Sequence, residues 1–228
     1  MKISIKKEVF KKFPKIKIAL ILAENIDNKK KLKESIQLLQ EVEQLIRLTF
    51  NKETIKNHHL IAPWAVAQEE FGKNAQHHHT SVERLLKNVL TGKSVVTKDV
   101  VTNLLRYLAL KHIVPLGVDD YQKINGDLTF SLSSGKEKID VLRKLKKGAL
   151  IYGDKKNILG TKLDFWKSKK TVLSKNSKSA LIHFDILPPI DKKKLDILVK
   201  ETKDLITSFC DGKVKVVVLN KNKSFGKF

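Results

Sequence analysis

The spacing of apolar residues changes once along this chain, and that change limits the possible folds more than any other feature. Up to about residue 112, apolar positions recur mainly at three- and four-residue steps. They are Leu32, Ile36, Leu39, Val42, Leu45 and Ile46 within 29–50, then Val82, Leu85, Leu86 and Val89, then Val101, Leu104, Leu105, Leu108 and His112 within 98–112. Such steps place the residues on one helical face. Beyond this point Leu128, Phe130 and Leu132 alternate, and the short runs GALIYGD, SALIHFDIL and KVKVVVLN follow, separated by Gly, Asn and Asp. That is the pattern of strands and turns. Two elements cross the division: Ile16, Ile18, Leu20 and Leu22 alternate in an early strand, while Leu195, Leu198, Leu205, Ile206 and Phe209 mark a late helix. The expectation is an α+β architecture with helices mainly in the N-terminal half and strands mainly in the C-terminal half.

Local signals set the boundaries. Asp27 or Asn28 is placed to cap the helix over 29–50, and Pro63 opens a short helix carrying Trp64, Ala67 and Phe71 that stops at Gly72. Thr80-Ser81-Val82-Glu83 is a capping-box arrangement, with Gly92 at the far end of that helix. Asp191 caps the late helix and Gly212 ends it, and the basic tail from Asn220 to Phe228 is expected to fray. His77, His78 and His79 therefore fall in the connector just before a helix. Consecutive connector residues point in different directions, whereas zinc needs converging ligands usually spaced like H-x₃-H. With no HExxH, no CxxC and one cysteine, neither a metal nor another cofactor is expected. No Pro/Gly/Ser-rich linker divides the chain near residue 113, so residues 1–228 read as one domain with a basic leader and a short basic tail.

Charge addresses the partner. The formal net charge is +22, from 46 basic against 24 acidic residues. Such an excess is either a solvated lysine-rich surface or the mark of a polyanionic partner. Only Arg47, Arg84, Arg106 and Arg143 are arginines. Lysine is a point charge without the planar fork that reads guanine edges, so contact with backbone phosphates is expected and DNA sequence readout is not. Within 141–180, twelve basic residues face only Asp154 and Asp164, interleaved with Tyr152, Phe165 and Trp166. These aromatics either stack unpaired bases or pack in the core. The lone Cys210 has no partner for an internal disulfide, no secretory leader is evident, and the longest apolar run, over 16–23, is interrupted by Lys17. A cytoplasmic location without a membrane span is the expectation.

The ordered set FPKIKIALILAENIDN, HHLIAPWAVAQEEFG, SVERLLKNVLTG, LALKHIVPLGVDDYQKINGDLTF, GALIYGD and ALIHFDILPP resembles the freestanding B3/B4 domain proteins. These are relatives of the tRNA-binding and editing domain in the beta chain of phenylalanyl-tRNA synthetase. The resemblance is collinear over nearly the whole chain. It implies an α+β fold with a short-stranded β-sandwich, tRNA as partner, and hydrolysis of a wrongly attached amino acid from tRNA. Carried onto matching positions, it places Gly117, Asp127, Ser168 and Thr171 at a substrate pocket, while the basic stretch itself offers Lys162, Trp166, Lys167, Lys169 and Lys170 as the contacts with tRNA. Two departures stand out. The synthetase-embedded relatives have a histidine where this chain has Gly117, and Lys169 and Lys170 fall where an acidic pocket residue is expected, which argues against recognition of a tyrosine hydroxyl. Hydrolysis of an activated ester needs a positioned water and a polarised carbonyl, so the lack of a Ser-His-Asp pattern leaves an enzyme open. A module that binds RNA without chemistry, or that attaches to a synthetase, is the alternative.

Overall fold

The computed structural model describes residues 1–64, 80–140, 143–145, 147–161 and 167–228. Its centre is β2 (Lys17–Glu24), whose six inner residues are buried on both faces. A strand sandwiched on both sides has no solvated face, so its sequence is a continuous apolar run. It pairs antiparallel with β9 (Ser179–Ile186), buried throughout, and with β10 (Lys213–Leu219). β3 (Leu116–Asp120) completes a four-stranded sheet in the order β10-β2-β9-β3. On one face Ala19, Ile21, Ala23, Ala180, Ile182 and Phe184 pack against Leu104, Leu105 and Leu108 of α4 (Val100–His112) and Leu195, Leu198 and Ile206 of α5 (Lys192–Cys210). Behind α4 lie α2 (Leu32–Thr49) and α3 (Ser81–Leu90), joined through Leu39, Val42, Ile46, Leu86 and Val89.

The other face carries Ile18, Leu20, Leu181 and Leu219, and it packs on a second sheet. That sheet runs β11 (Phe225–Lys227), β1 (Lys2–Ile5), β4 (Leu128–Leu132), β7 (Leu150–Gly153) and β8 (Ile158–Thr161). Ile3, Ile5, Phe130, Leu150 and Leu159 point into the joint core, and Val9 and Phe10 of α1 (Lys7–Lys12) close it. The expected α+β fold with a β-sandwich is what the chain adopts. A two-stranded ribbon of β5 (Lys138–Asp140) and β6 (Arg143–Lys144) lies apart. No helix among the described residues is long and apolar enough to cross a membrane.

The capping signals have differing outcomes. Thr80 Oγ1 accepts from the Glu83 N–H at 3.3 Å, Asp191 accepts from Lys194 N–H at 2.8 Å, and Gly92 has φ +77° just past α3. The helix expected from Pro63 lies outside the described residues beyond Trp64, which is buried in the sandwich core. Neither Asp27 nor Asn28 caps α2: it starts at Leu32 after Lys31 in the left-handed region, φ 53°. Asp27 turns the chain by accepting from Lys29 N–H at 3.1 Å, and Asn28 is buried. The tail does not fray throughout, because β11 pairs antiparallel with β1 from Lys2–Lys227 to Ser4–Phe225. Pairing with β1, which β4 holds on its other side, gives the tail segment backbone partners that it lacks alone.

Candidate functional site

Three loops meet at one end of the sandwich, at the edges formed by β3 and β8. The first is the turn over 121–127 after β3, the second the β7–β8 hairpin at 154–157, and the third the 3₁₀ turn Lys169–Thr171. Asp154 ties the first two: its carboxylate accepts from Asn125 N–H at 2.9 Å and from the N–H groups of Lys156 and Asn157 at 2.8 and 2.7 Å. The methylenes of Lys155 lie over Gly126, where an added Cβ would come within 2.9 Å of Lys155 Cδ. The third loop is joined by Lys170 Nζ, which donates to Asn157 Oδ1, and by Lys123 Nζ, which donates to the Val172 carbonyl at 2.8 Å. Lys123, Lys155, Lys156, Lys169 and Lys170 are all exposed here. The charge concentration read from 141–180 is thus partly gathered on one rigid end.

Beneath these loops lies a buried ionic cluster centred on Asp119, which is 0% exposed. Lys167 Nζ reaches its Oδ1 at 2.7 Å, the Thr171 hydroxyl donates to the same oxygen, and Tyr152 OH donates to Oδ2 at 3.0 Å. His183 Nε2 lies 3.7 Å from Oδ2. Burial alone would push the Asp119 carboxyl up. The Lys167 ammonium and the neighbouring His183 outweigh that and hold it well below the usual carboxylate range. Burial, reinforced by the Asp119 charge, pushes the Tyr152 phenol well above its ordinary value, so it remains a neutral donor. Of the five side chains, Lys167 alone is partly exposed, by 26%.

Two glycines make room for the aromatic rings of this cluster. Gly117 on β3 pairs with His183 on β9, and a Cβ at 117 would sit 1.9 Å from His183 Cε1. Gly160 on β8 pairs with Tyr152 on β7, and a Cβ there would sit 2.4 Å from Tyr152 Cε1. Both glycines are on edge strands and both are covered by the ring opposite, the aromatic packing that compensates a glycine at a sheet edge. The two rings meet with centroids 4.8 Å apart. Where the family resemblance expects a histidine at 117, the ring of His183 fills the space from the paired strand.

The sequence-predicted residues divide accordingly. Gly117, Lys167 and Thr171 join the cluster directly, while Ser168 is buried beside it, donating from its backbone to the Leu159 carbonyl at 2.9 Å and accepting from Lys170 N–H at 3.2 Å. Asp127 is not brought to them: it is exposed at the start of β4 and accepts from Lys2 N–H at 2.9 Å. Lys169 and Lys170 are on the loop surface, whereas the Lys167 ammonium is turned inward to Asp119. Lys162, Trp166 and His77, His78 and His79 lie outside the described residues. Sequence reasoning missed Asp119 and His183, and of its two readings of Tyr152 the core is where the ring lies, 2% exposed. The available signal was a polar-tipped ring inside each of the apolar strands LIYG and LIHF.

Among the described residues no three His, Cys, Asp or Glu side chains are grouped to hold a metal. Cys210 is fully buried, and burial pushes its thiol up to about 12, which removes it as a nucleophile. Thr171 gives its hydroxyl hydrogen to Asp119, but that carboxylate is held too far below the ordinary range to take the proton and the threonine is fully buried, so the cluster presents no activated hydroxyl. What the end of the sandwich offers is cationic anchorage outside and a fixed, charge-balanced wall inside.

The sequence pattern that defines the B3/4 domain matches residues 63–210. No curated protein matches the chain. Among solved structures, the chain is similar to an N-terminal fragment of the phenylalanyl-tRNA synthetase beta-subunit from Pyrococcus horikoshii, with 10% sequence identity and a TM-score of 0.45. The alignment covers 93% of this chain and 49% of that one, so the chain spans about half the length of that fragment.

Proposed function

We propose, because the chain belongs to the B3/4 domain family, that it holds tRNA by its sugar-phosphate backbone and hydrolyses aminoacyl-tRNA in trans. The observation that carries this reading is the crowding of Lys123, Lys155, Lys156, Lys169 and Lys170 on three mutually bonded loops, directly above the Asp119 cluster. Loops already held in place lose little freedom on binding, so their charges act with less entropic cost. The acceptor end would then lie against the wall formed by Gly117, Lys167 and Ser168. Water attacks the ester carbonyl, the ester bond breaks, and the ribose hydroxyl leaves with a proton. The exposed Lys169 ammonium on the adjoining loop stabilises the developing oxyanion.

A panel of mischarged tRNAs incubated with the protein tests this. For at least one amino acid and tRNA pairing, deacylation should exceed that in buffer by roughly tenfold or more, a barrier change of about 1.4 kcal/mol. No acceleration for any pairing removes the enzymatic reading. A second reading, RNA binding without chemistry, is favoured by a specific observation: Asp119, Tyr152, Thr171 and His183 are each 2% exposed or less. In that case tRNA binds and every ester decays at its buffer rate.

A further inference from the structure

Away from the three loops, a second set of lysines is pinned around one buried side chain. Asn28 is 1% exposed, and its amide makes three hydrogen bonds. Nδ2 donates to Asp99 Oδ1 at 3.3 Å and to the Ser174 carbonyl at 2.8 Å, while Oδ1 accepts from Val101 N–H at 2.8 Å. Ile26 N–H adds a bond to the Lys178 carbonyl at 3.0 Å. The segments 26–31, 97–100 and 173–178 are thereby fastened to one another, and they expose Lys29, Lys98, Lys175 and Lys178.

This set connects to the first. Ser177 Oγ donates to Asp120 Oδ2 at 2.7 Å, and Asp120 pairs with Lys123 Nζ at 3.2 Å, which in turn holds Val172. A line of hydrogen-bonded loops therefore runs from the β7–β8 hairpin in the outer sheet, past the β3 and β9 ends of the inner sheet, to the start of α4. Of the six acids along it, Asp99, Asp119 and Asp120 are turned inward, exposed by 8%, 0% and 3%, Asp154 is half-buried and taken up by backbone N–H groups, and Asp27 and Asp127 are exposed. Asp27 alone among the acids of the Asn28 set is exposed. The line crosses two sheets and a helix layer at about 10 Å per step, or roughly 20 Å in all. At the B-DNA spacing of about 3.4 Å of helix axis per phosphate of one strand, which A-form RNA shortens, that length passes roughly six phosphates or more.

We infer that these lysines form one continuous track for the backbone of a structured RNA, so that the partner is gripped along its length and not only at its aminoacylated end. This rests on the RNA-binding reading above and deepens it. Lysines without arginines suit phosphates and leave sequence unread. Pinning by Asn28 keeps the far half of the track in register with the near half.

The test compares two four-lysine variants with the wild-type chain, each titrated with tRNA over a series of salt concentrations. The track variant carries Lys29→Gln, Lys98→Gln, Lys175→Gln and Lys178→Gln. The control carries Lys192→Gln, Lys193→Gln, Lys194→Gln and Lys200→Gln, exposed positions on α5 with the same change in net charge. Each lost phosphate contact lowers the slope of log affinity against log salt by about 1, so the track variant should lose about 3 to 4 of that slope and the control less than 1. Equal losses in the two variants overturn the track while leaving tRNA binding intact. Failure of the wild-type chain to bind tRNA overturns both. All eight substitutions are at exposed positions, and unchanged thermal unfolding of each variant shows that affinity reports contacts.

Discussion

Replacing Asp119 by alanine is expected to destabilise the fold by about 3–5 kcal/mol, because it leaves the Lys167 ammonium without its counter-charge and Tyr152 and Thr171 without their acceptor. Asp119→Asn keeps the shape and an acceptor and should lose less. Adding Lys167→Met to Asp119→Ala removes the stranded charge and should recover much of the loss. Urea unfolding midpoints at constant m-value measure all three. The pH dependence has a definite sign. The folded carboxyl titrates below its ordinary value of 3.8, so its stabilisation is fully present above that value and is lost as the pH falls below it. The asparagine variant should lack this component of acid destabilisation. An alanine variant within about 1 kcal/mol of the wild-type chain would show that the cluster is not a structural joint.

Gly117→Ala should cost about 1–3 kcal/mol, for a steric reason that the residue names do not reveal. The new Cβ would meet His183 Cε1 at 1.9 Å and Nε2 at 2.4 Å, and the ring is boxed in by Tyr152 and Phe130 with centroids at 4.8 and 6.1 Å. The ring must leave its place beside Asp119 or the edge strand must shift. In a His183→Ala background the same Gly117→Ala change should be nearly neutral. The difference between the two backgrounds is the coupling energy of the pair. Equal costs in both would mean that the glycine serves some other purpose than admitting the ring.

Much of the fold was legible because its signals are local. Thr80 and Asp191 cap their helices through N–H groups three residues away, and the apolar steps of α4 and α5 repeat every turn. What failed depends on distant partners. Lys2 pairs with Lys227 across nearly the whole chain, so nothing near either end announces a strand. Asn28 reads as a helix cap in isolation and becomes a buried hub only when Asp99 and Ser174 arrive from far along the chain. The candidate site was half legible for the same reason. Lysine density drew attention to Lys167, Lys169 and Lys170, but charge alone does not distinguish Lys167, folded inward onto Asp119, from its exposed neighbours. Asp119, Tyr152 and His183 come from three separate strands, and only their convergence makes them a cluster.

The affinity of the unmodified protein for tRNA at low and at near-physiological salt bears most directly on whether this lysine-bearing end serves RNA. Binding should be clear at about 50 mM salt and weaken by roughly 10³-fold or more by about 200 mM, as counterions released from six or more phosphates compete. No binding at low salt, or an affinity unchanged across that range, would mean that the lysines do not serve to hold a nucleic-acid backbone.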